Sequence, residues 1–276
     1  MTVRIDLHAH TTASDGLLSP SELVDLARRA GLSALGVTDH DTMNGLEEAH
    51  CAGQSAGLEV VPGVEISTSH EGVEIHLLGY FVDRNSSELR AQLSSRREDR
   101  EERAREMVET LCRLGVPIDY EDVKREAGNG AVGRPHVAAA LVARGWVRDR
   151  QEAFDRYIAD GRPAAVPKPV FPIADAIALL REIGAVPVLA HPGLLKRPEL
   201  LPAFPALGLE GIEVFYPKHL PDQQRDLLAF ARSHGLVPTG GSDFHSSAQP
   251  AALGSQPVPP ETLDLLRERS LGRSRV

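Results

Sequence analysis

The chain has 276 residues, 42% hydrophobic and 25% charged, enough for one sizeable α/β domain with an insertion. A formal net charge of −9 argues against a long nucleic-acid duplex as partner, because its phosphates would be repelled. No stretch approaches the ~20 apolar residues of a membrane span, and the first apolar run is too short for a signal peptide, so a cytoplasmic protein is expected.

Taken in chain order, strand-like and helix-like segments alternate. The first strand, Arg4–Leu7, runs into His8-Ala9-His10, and Asp15 follows five residues later. Ser19-Pro20-Ser21-Glu22 reads as a helix start, and the helix Ser21–Ala30 stops at Gly31. A second strand, Ala34–Thr38, leads to Asp39-His40, and a third, Glu59–Val61, precedes Glu65. The fourth, Glu74–Tyr80, contains His76, an exception to strand-end placement that a bent strand would explain.

A helical excursion then fills residues 86–165, between barrel segments 1–85 and 166–276. Helices are expected over Ser87–Gly115, Tyr120–Ala127, Pro135–Arg144 and Arg150–Ala159. Its acidic and basic residues nearly balance, so the acidic excess belongs to the barrel segments. Helix Asp175–Ile183 follows, ending at Gly184, and strand Val186–Ala190 runs into His191. Strand Gly211–Phe215 carries Glu213, helix Pro221–His234 stops at Gly235, and strand Val237–Gly240 precedes Asp243 and His245. Seven short apolar strands interleaved with helices predict a parallel, barrel-like sheet, with functional groups where strands end.

Six histidines (His8, His10, His40, His76, His191, His245) and three carboxylates (Asp15, Glu65, Asp243) recur in those positions. With no cysteine among them they suit Zn²⁺, Mn²⁺ or Fe²⁺. Cys51 and Cys112 lack ligand spacing and any sign of a disulfide framework, and read as isolated buried or surface thiols within helices. Asp39 and Glu213 are candidates to sit behind the ligands and orient them through hydrogen bonds.

Gly133-Arg134-Pro135-His136 is the second informative feature. Pro135 opens a helix, and a helix N-terminus flanked by Arg134 and His136 suits a phosphate. Lys168, where the chain returns to the barrel, and His219, after the sixth strand, are further candidate substrate contacts. His219 or His136 could protonate the leaving group. Aromatic content is 4%, so stacking platforms are scarce. Tyr157, Phe171, Phe215 and Tyr216 could pair with a base, although most are expected in the core. A mononucleotide or a short oligonucleotide end fits better than a long strand.

The motifs HAHTTASDG (from His8), GVTDHDT (from Gly36), PGVEIS (from Pro62), HLLGY (from His76), VLAHPG (from Val188), GIEVF (from Gly211) and GSDFH (from Gly241) together resemble the PHP (polymerase and histidinol phosphatase) phosphoesterases. The GRPH insertion resembles the branch of 3′,5′-nucleotide bisphosphate phosphatases and 5′→3′ exonucleases of short RNA. The resemblance implies a distorted (β/α)7 barrel with a helical insertion and three divalent ions, Mn, Zn or Fe. His8, His10, Glu65 and Asp243 would hold one ion. Glu65, His76 and His191 would hold the second, and Asp15, His40 and His245 the third. Some relatives carry His where Asp15 stands, and the aspartate makes that position harder and more anionic.

Two such ions about 3.5–4 Å apart would activate a bridging hydroxide and clamp a phosphate for in-line attack. The expected reaction is phosphate removal from a nucleoside 3′,5′-bisphosphate, or release of 5′-mononucleotides from short RNA. Two alternatives stand beside it: a phosphatase of a non-nucleotide metabolite such as histidinol phosphate, and a non-catalytic PHP module. Metal identity, base preference and oligomeric state are not set by these residues.

Overall fold

The computed structural model describes residues 3–128, 132–167 and 171–272. Two compact units emerge: Met1–Arg90 with Phe171–Val276, and Ala91–Val170.

The first unit is built on one seven-stranded sheet in chain order: β1 (Ile5–Asp6), β2 (Ala34–Val37), β3 (Glu59–His70), β4 (Val73–Tyr80), β5 (Val186–Leu189), β6 (Gly211–Phe215) and β7 (Val237–Gly240). Its ends nearly meet. Ala9 forms a parallel bridge with Phe244, and Leu7 N donates to Gly240 O at 3.3 Å. The result is a distorted seven-stranded α/β barrel. Ile5, Leu7, Val61, Leu78, Tyr80, Val186, Val188 and Val237 form one buried cluster with Leu263 and Leu266 of the C-terminal helix. These strands read as continuous apolar runs because both their faces are covered.

One strand departs from the parallel expectation. β4 runs antiparallel to both β3 and β5. The cause is a two-residue turn: Glu71 (φ 48°) and Gly72 (φ 77°) join the paired residues His70 and Val73. Positive φ at both central positions is the hairpin geometry that matches strand twist, and glycine relieves half its cost. β3 is therefore twelve residues long, far beyond the expected Glu59–Val61. The reversal, rather than a bend, accounts for His76. It lies early in β4, opposite Ser67, and so at the end of the barrel where the parallel strands finish.

The flanking helices are α1 (Pro20–Arg29) and α2 (Leu46–Ala56) before the excursion. In α1, Glu22 N donates to Ser19 Oγ at 3.3 Å and Ser19 N donates to Glu22 Oε2 at 2.8 Å, a reciprocal cap. The excursion carries α3 (Ser87–Arg113), α4 (Tyr120–Ala127), α5 (Arg134–Ala143) and α6 (Arg150–Ala153), with one π-helical turn over Phe154–Ile158. The chain then continues through α7 (Ile173–Glu182), α8 (Pro221–His234) and α9 (Glu261–Leu271).

The second unit has its own core, including Met107, Leu111, Val123, Val137, Leu141, Ala153 and Ile158. Within α3 the pair Glu101/Arg105 forms at 3.8 Å. Arg103 is not on a solvated face as its spacing from Asp99 suggests. It is buried and donates from Nε to Val166 O at 2.8 Å. Among the described residues no helix is long and apolar enough to cross a membrane.

Candidate metal centre

Glu65, in β3 and fully buried, is the hub of the site. Its Oε2 lies 3.2 Å from His8 Nε2, 3.3 Å from His10 Nε2 and 3.2 Å from His40 Nδ1. Its Oε1 lies 2.9 Å from His76 Nδ1 and 3.1 Å from His191 Nε2. Five imidazoles thus converge on one carboxylate. Asp243 Oδ1 adds a second anionic point, 3.1 Å from His10 Nε2 and 3.4 Å from His8 Nε2. Asp15 adds a third, with Oδ1 3.3 Å from His245 Nε2 and Oδ2 3.9 Å from His40 Nε2.

The donor atoms fall into three overlapping groups, each within 4.8 Å: His8/His10/Glu65/Asp243, His10/Asp15/His40/His245 and His40/Glu65/His76. The overlap goes beyond the expected partition, since His10 belongs to two groups and His40 to two. His191 lies outside these three groups and reaches the centre through its 3.1 Å contact with Glu65 Oε1.

Two observations show that these residues fit divalent ions. Both ring nitrogens of His10, and Nδ1 of His40, are buried without a directed hydrogen bond, although carboxylate oxygens lie near. Buried polar atoms are otherwise nearly always satisfied, so ring nitrogens left over here suit coordination once deprotonated. The second observation is electrostatic. Burial alone would raise Glu65, yet His40, His8, His76 and His10 hold it well below the usual carboxylate range. Asp243 and Asp15 are likewise held low against burial, by His8 and His10 and by His245 and His40. In return, and against the effect of burial, His8 is driven up by Glu213, Glu65 and Asp243. His10 rises to about 10 beside Asp243 and Glu65, and His76 to about 9 beside Glu65. His40 goes the other way, down to about 4, chiefly because it is buried. Protons on imidazoles stand where the carboxylates call for cations.

The supporting network begins with Glu213. This buried residue of β6 accepts from His8 Nδ1 at 3.0 Å and from the His191 backbone N–H at 2.8 Å. The first bond places the His8 proton on Nδ1 and turns Nε2 toward Glu65. Among the described residues Asp39 makes no hydrogen bond or ion pair to an imidazole. It accepts from Thr11 N at 2.7 Å, Thr11 Oγ1 at 2.7 Å and Ser14 Oγ at 2.6 Å, and so fixes the loop that carries Asp15. His191, Asp243 and Asp41 adopt positive φ of 28°, 51° and 49°, a strained choice that clusters at functional sites.

His219 is not placed for substrate contact. It is buried, its Nδ1 donates to Val214 O at 2.9 Å, and its Nε2 accepts from Gly193 N at 3.0 Å. With Nδ1–H directed at Val214 O and Nε2 accepting from Gly193 N, neither ring nitrogen is turned toward a leaving group. A Cβ at Gly193 would lie 2.6 Å from its ring, so the loop after His191 is moulded onto it. Tyr216 is not a stacking platform either: it is buried, and its hydroxyl donates to Asp243 Oδ2 at 2.9 Å. Phe171 is buried, Phe215 packs on the barrel core, and Tyr157 packs on the core of the helical unit.

In that second unit, Arg134 opens α5 and pairs with Asp160 at 2.6 Å. His136 Nδ1 accepts from Gly133 N at 3.1 Å, which puts its proton on Nε2. Lys168 lies outside the described residues.

Comparison with known proteins agrees with this geometry. The PHP domain model matches residues 6–122. A 5′-3′ exoribonuclease of Haemophilus influenzae is 39% identical over 89% of this chain and 91% of its own length. A 3′,5′-nucleoside bisphosphate phosphatase of Chromobacterium violaceum is 36% identical over 89% and 88%. A solved Bifidobacterium adolescentis structure, described as a metal-dependent phosphoesterase, superposes with a TM-score of 0.83 at 34% identity, covering 98% of this chain and 97% of that one.

The chain belongs to the PHP family. It is a hydrolase, a metal-dependent phosphoesterase. Two further residues, just outside the PHP motifs, shape this centre. Asp6 is buried, with Oδ1 accepting from His8 N at 3.2 Å and Ser242 N at 3.0 Å and Oδ2 from Gly254 N at 2.6 Å. It ties β1 to the loop after β7, the seam of this PHP barrel. Gln249 Oε1 accepts from His245 N at 2.8 Å, and its Nε2 donates to Ala251 O at 3.1 Å. It clasps the loop that presents Asp243 and His245. A carboxylate two residues before a motif histidine and a glutamine four residues beyond another were the available signals.

Proposed function

We propose that this protein removes phosphate from nucleoside 3′,5′-bisphosphates, or releases 5′-mononucleotides from short RNA. The observation that carries this reading is the convergence of five imidazoles on the buried Glu65, flanked by Asp243 and Asp15. The substrate class follows the exoribonuclease and bisphosphate phosphatase names of the two relatives, each similar along most of this chain.

In this reading three divalent ions, Mn, Zn or Fe, are held by the nine residues. His8, His10, Glu65 and Asp243 hold one, Glu65, His76 and His191 the second, and Asp15, His40 and His245 the third. Such ions supply Lewis-acid activation of water and of the phosphoryl group. The chain's own residues set up that chemistry. Glu213 keeps the His8 proton on Nδ1, Asp39 holds the loop of Asp15, and Glu65 neutralises charge between the groups. The N-terminus of α5, with Arg134 and the Nε2–H of His136, recognises the phosphate that does not react. Binding energy from that remote group contributes to lowering the barrier as well as to affinity.

The test is release of phosphate or nucleotide from 3′,5′-bisphosphoadenosine, 5′-phosphorylated short RNA and histidinol phosphate by Mn²⁺-loaded protein. Turnover of either nucleotide substrate is expected. Arg134→Ala is expected to lower kcat/KM about 10–100-fold through loss of a charge-assisted bond, and His191→Ala to abolish turnover. Activity confined to histidinol phosphate would overturn the substrate class, and no hydrolysis of any phosphoester would favour the non-catalytic module.

A further inference from the structure

Tyr216 follows β6 and touches the centre through Asp243. Its hydroxyl donates to Asp243 Oδ2 at 2.9 Å. The other oxygen, Oδ1, faces His10 Nε2 at 3.1 Å, His8 Nε2 at 3.4 Å and His245 Nδ1 at 3.6 Å. The two oxygens of one carboxylate therefore have separate tasks. The tyrosine is only 2% exposed, and its ring centroid lies 5.3 Å from that of His191 and 5.0 Å from that of His219. His219 is itself pinned to Val214 O and Gly193 N, so the ring is braced on a fixed neighbour. Asp243 is constrained from its backbone as well, by a φ of 51° in a loop clasped by Gln249.

We propose that Tyr216 is a positioning residue that limits Asp243 to coordination through one oxygen. This rests on the ligand set proposed above. A carboxylate with both oxygens available can chelate a cation and take two coordination positions. With Oδ2 engaged by a phenol it takes one. The position saved at the ion held by His8, His10, Glu65 and Asp243 is then open to water or to a phosphoryl oxygen of the substrate, the open position that separates a catalytic site from a structural one. Other arrangements could orient Asp243 equally well. A donor on the oxygen that points away from the imidazoles is the one that also restricts its denticity.

The experiment loads wild type and Tyr216→Phe with Co²⁺ and records uptake, the visible d–d spectrum and steady-state kinetics. The variant keeps the ring and its packing and removes one hydroxyl. Its d–d bands are expected to lose intensity as the coordination number rises, with kcat falling about tenfold and KM little changed. An unchanged spectrum in Tyr216→Phe overturns the proposal. Absence of cobalt uptake by wild type would sink the ligand set itself, which the uptake measurement reports separately. If the variant does not fold, fluorotyrosine incorporated into the otherwise native chain makes the phenol more acidic without changing its packing. The proposal then requires a shift of the same bands, and no shift overturns it.

Discussion

Glu213→Gln is a nearly shape-neutral change with a large expected effect. Glu213 is fully buried, and its two oxygens accept from His8 Nδ1 at 3.0 Å and from His191 N at 2.8 Å. A glutamine offers one acceptor and one NH₂. If its oxygen faces the His191 amide, the NH₂ faces His8 Nδ1. The imidazole must then accept at Nδ1 and carry its proton on Nε2, the atom 3.2 Å from Glu65 that is needed as a donor to metal. If the amide turns over, NH₂ meets the N–H of His191, and a buried donor is left unpaired at a cost of about 1–3 kcal/mol. The first orientation opposes metal binding at His8, and the second destabilises the backbone that presents His191. Loss of such an orienting partner typically lowers metal affinity or activity about 10–100-fold, or about 1.4–2.8 kcal/mol. Competitive titration against a chromophoric chelator, alongside phosphate release at varied metal concentration, measures both. Wild-type affinity and rate in a folded Glu213→Gln protein would refute the tautomer argument.

Acid–base behaviour offers a second test. In metal-stripped protein His10 sits at about 10 and His76 at about 9, both raised above their unfolded value of about 6.5. Their contribution to stability is complete below the unfolded value and is lost as pH rises through those folded values. The stripped protein should therefore melt lower near pH 10 than at neutral pH, and metal binding at neutral pH should release protons. A pH-independent melting temperature with no buffer-dependent heat of binding would contradict this. For His219, replacement by alanine leaves Gly193 N–H and Val214 C=O without their partner and should cost about 1–3 kcal/mol, seen as a lower melting temperature. The pH–rate profile should keep both limbs, and loss of one limb would reinstate His219 as an acid.

The chemistry available to this protein is written along the chain. Ligand-type residues stand in line with apolar runs, and a strand that buries both faces must deliver its trailing residues to the barrel's end. His8, His10, His40, His191, Asp243 and His245 were legible for that reason. The cap at Ser19 and the stop at Gly31 were legible because their hydrogen bonds close within a few residues. The reversal of β4 rests on Glu71-Gly72, a two-residue turn that the α/β alternation around it does not single out.

How the donors are shared was settled by the folded barrel alone, because contacts between residues far apart in the chain carry no periodicity. The five imidazoles around Glu65 come from four separate segments, and Ser242 N reaches Asp6 across 236 positions. His219, read from its neighbours as a candidate acid, has its tautomer set by two backbone groups that approach it only in the folded barrel. Asp39, adjacent in sequence to His40, turns instead to Thr11 and Ser14, which approach it only in the folded barrel.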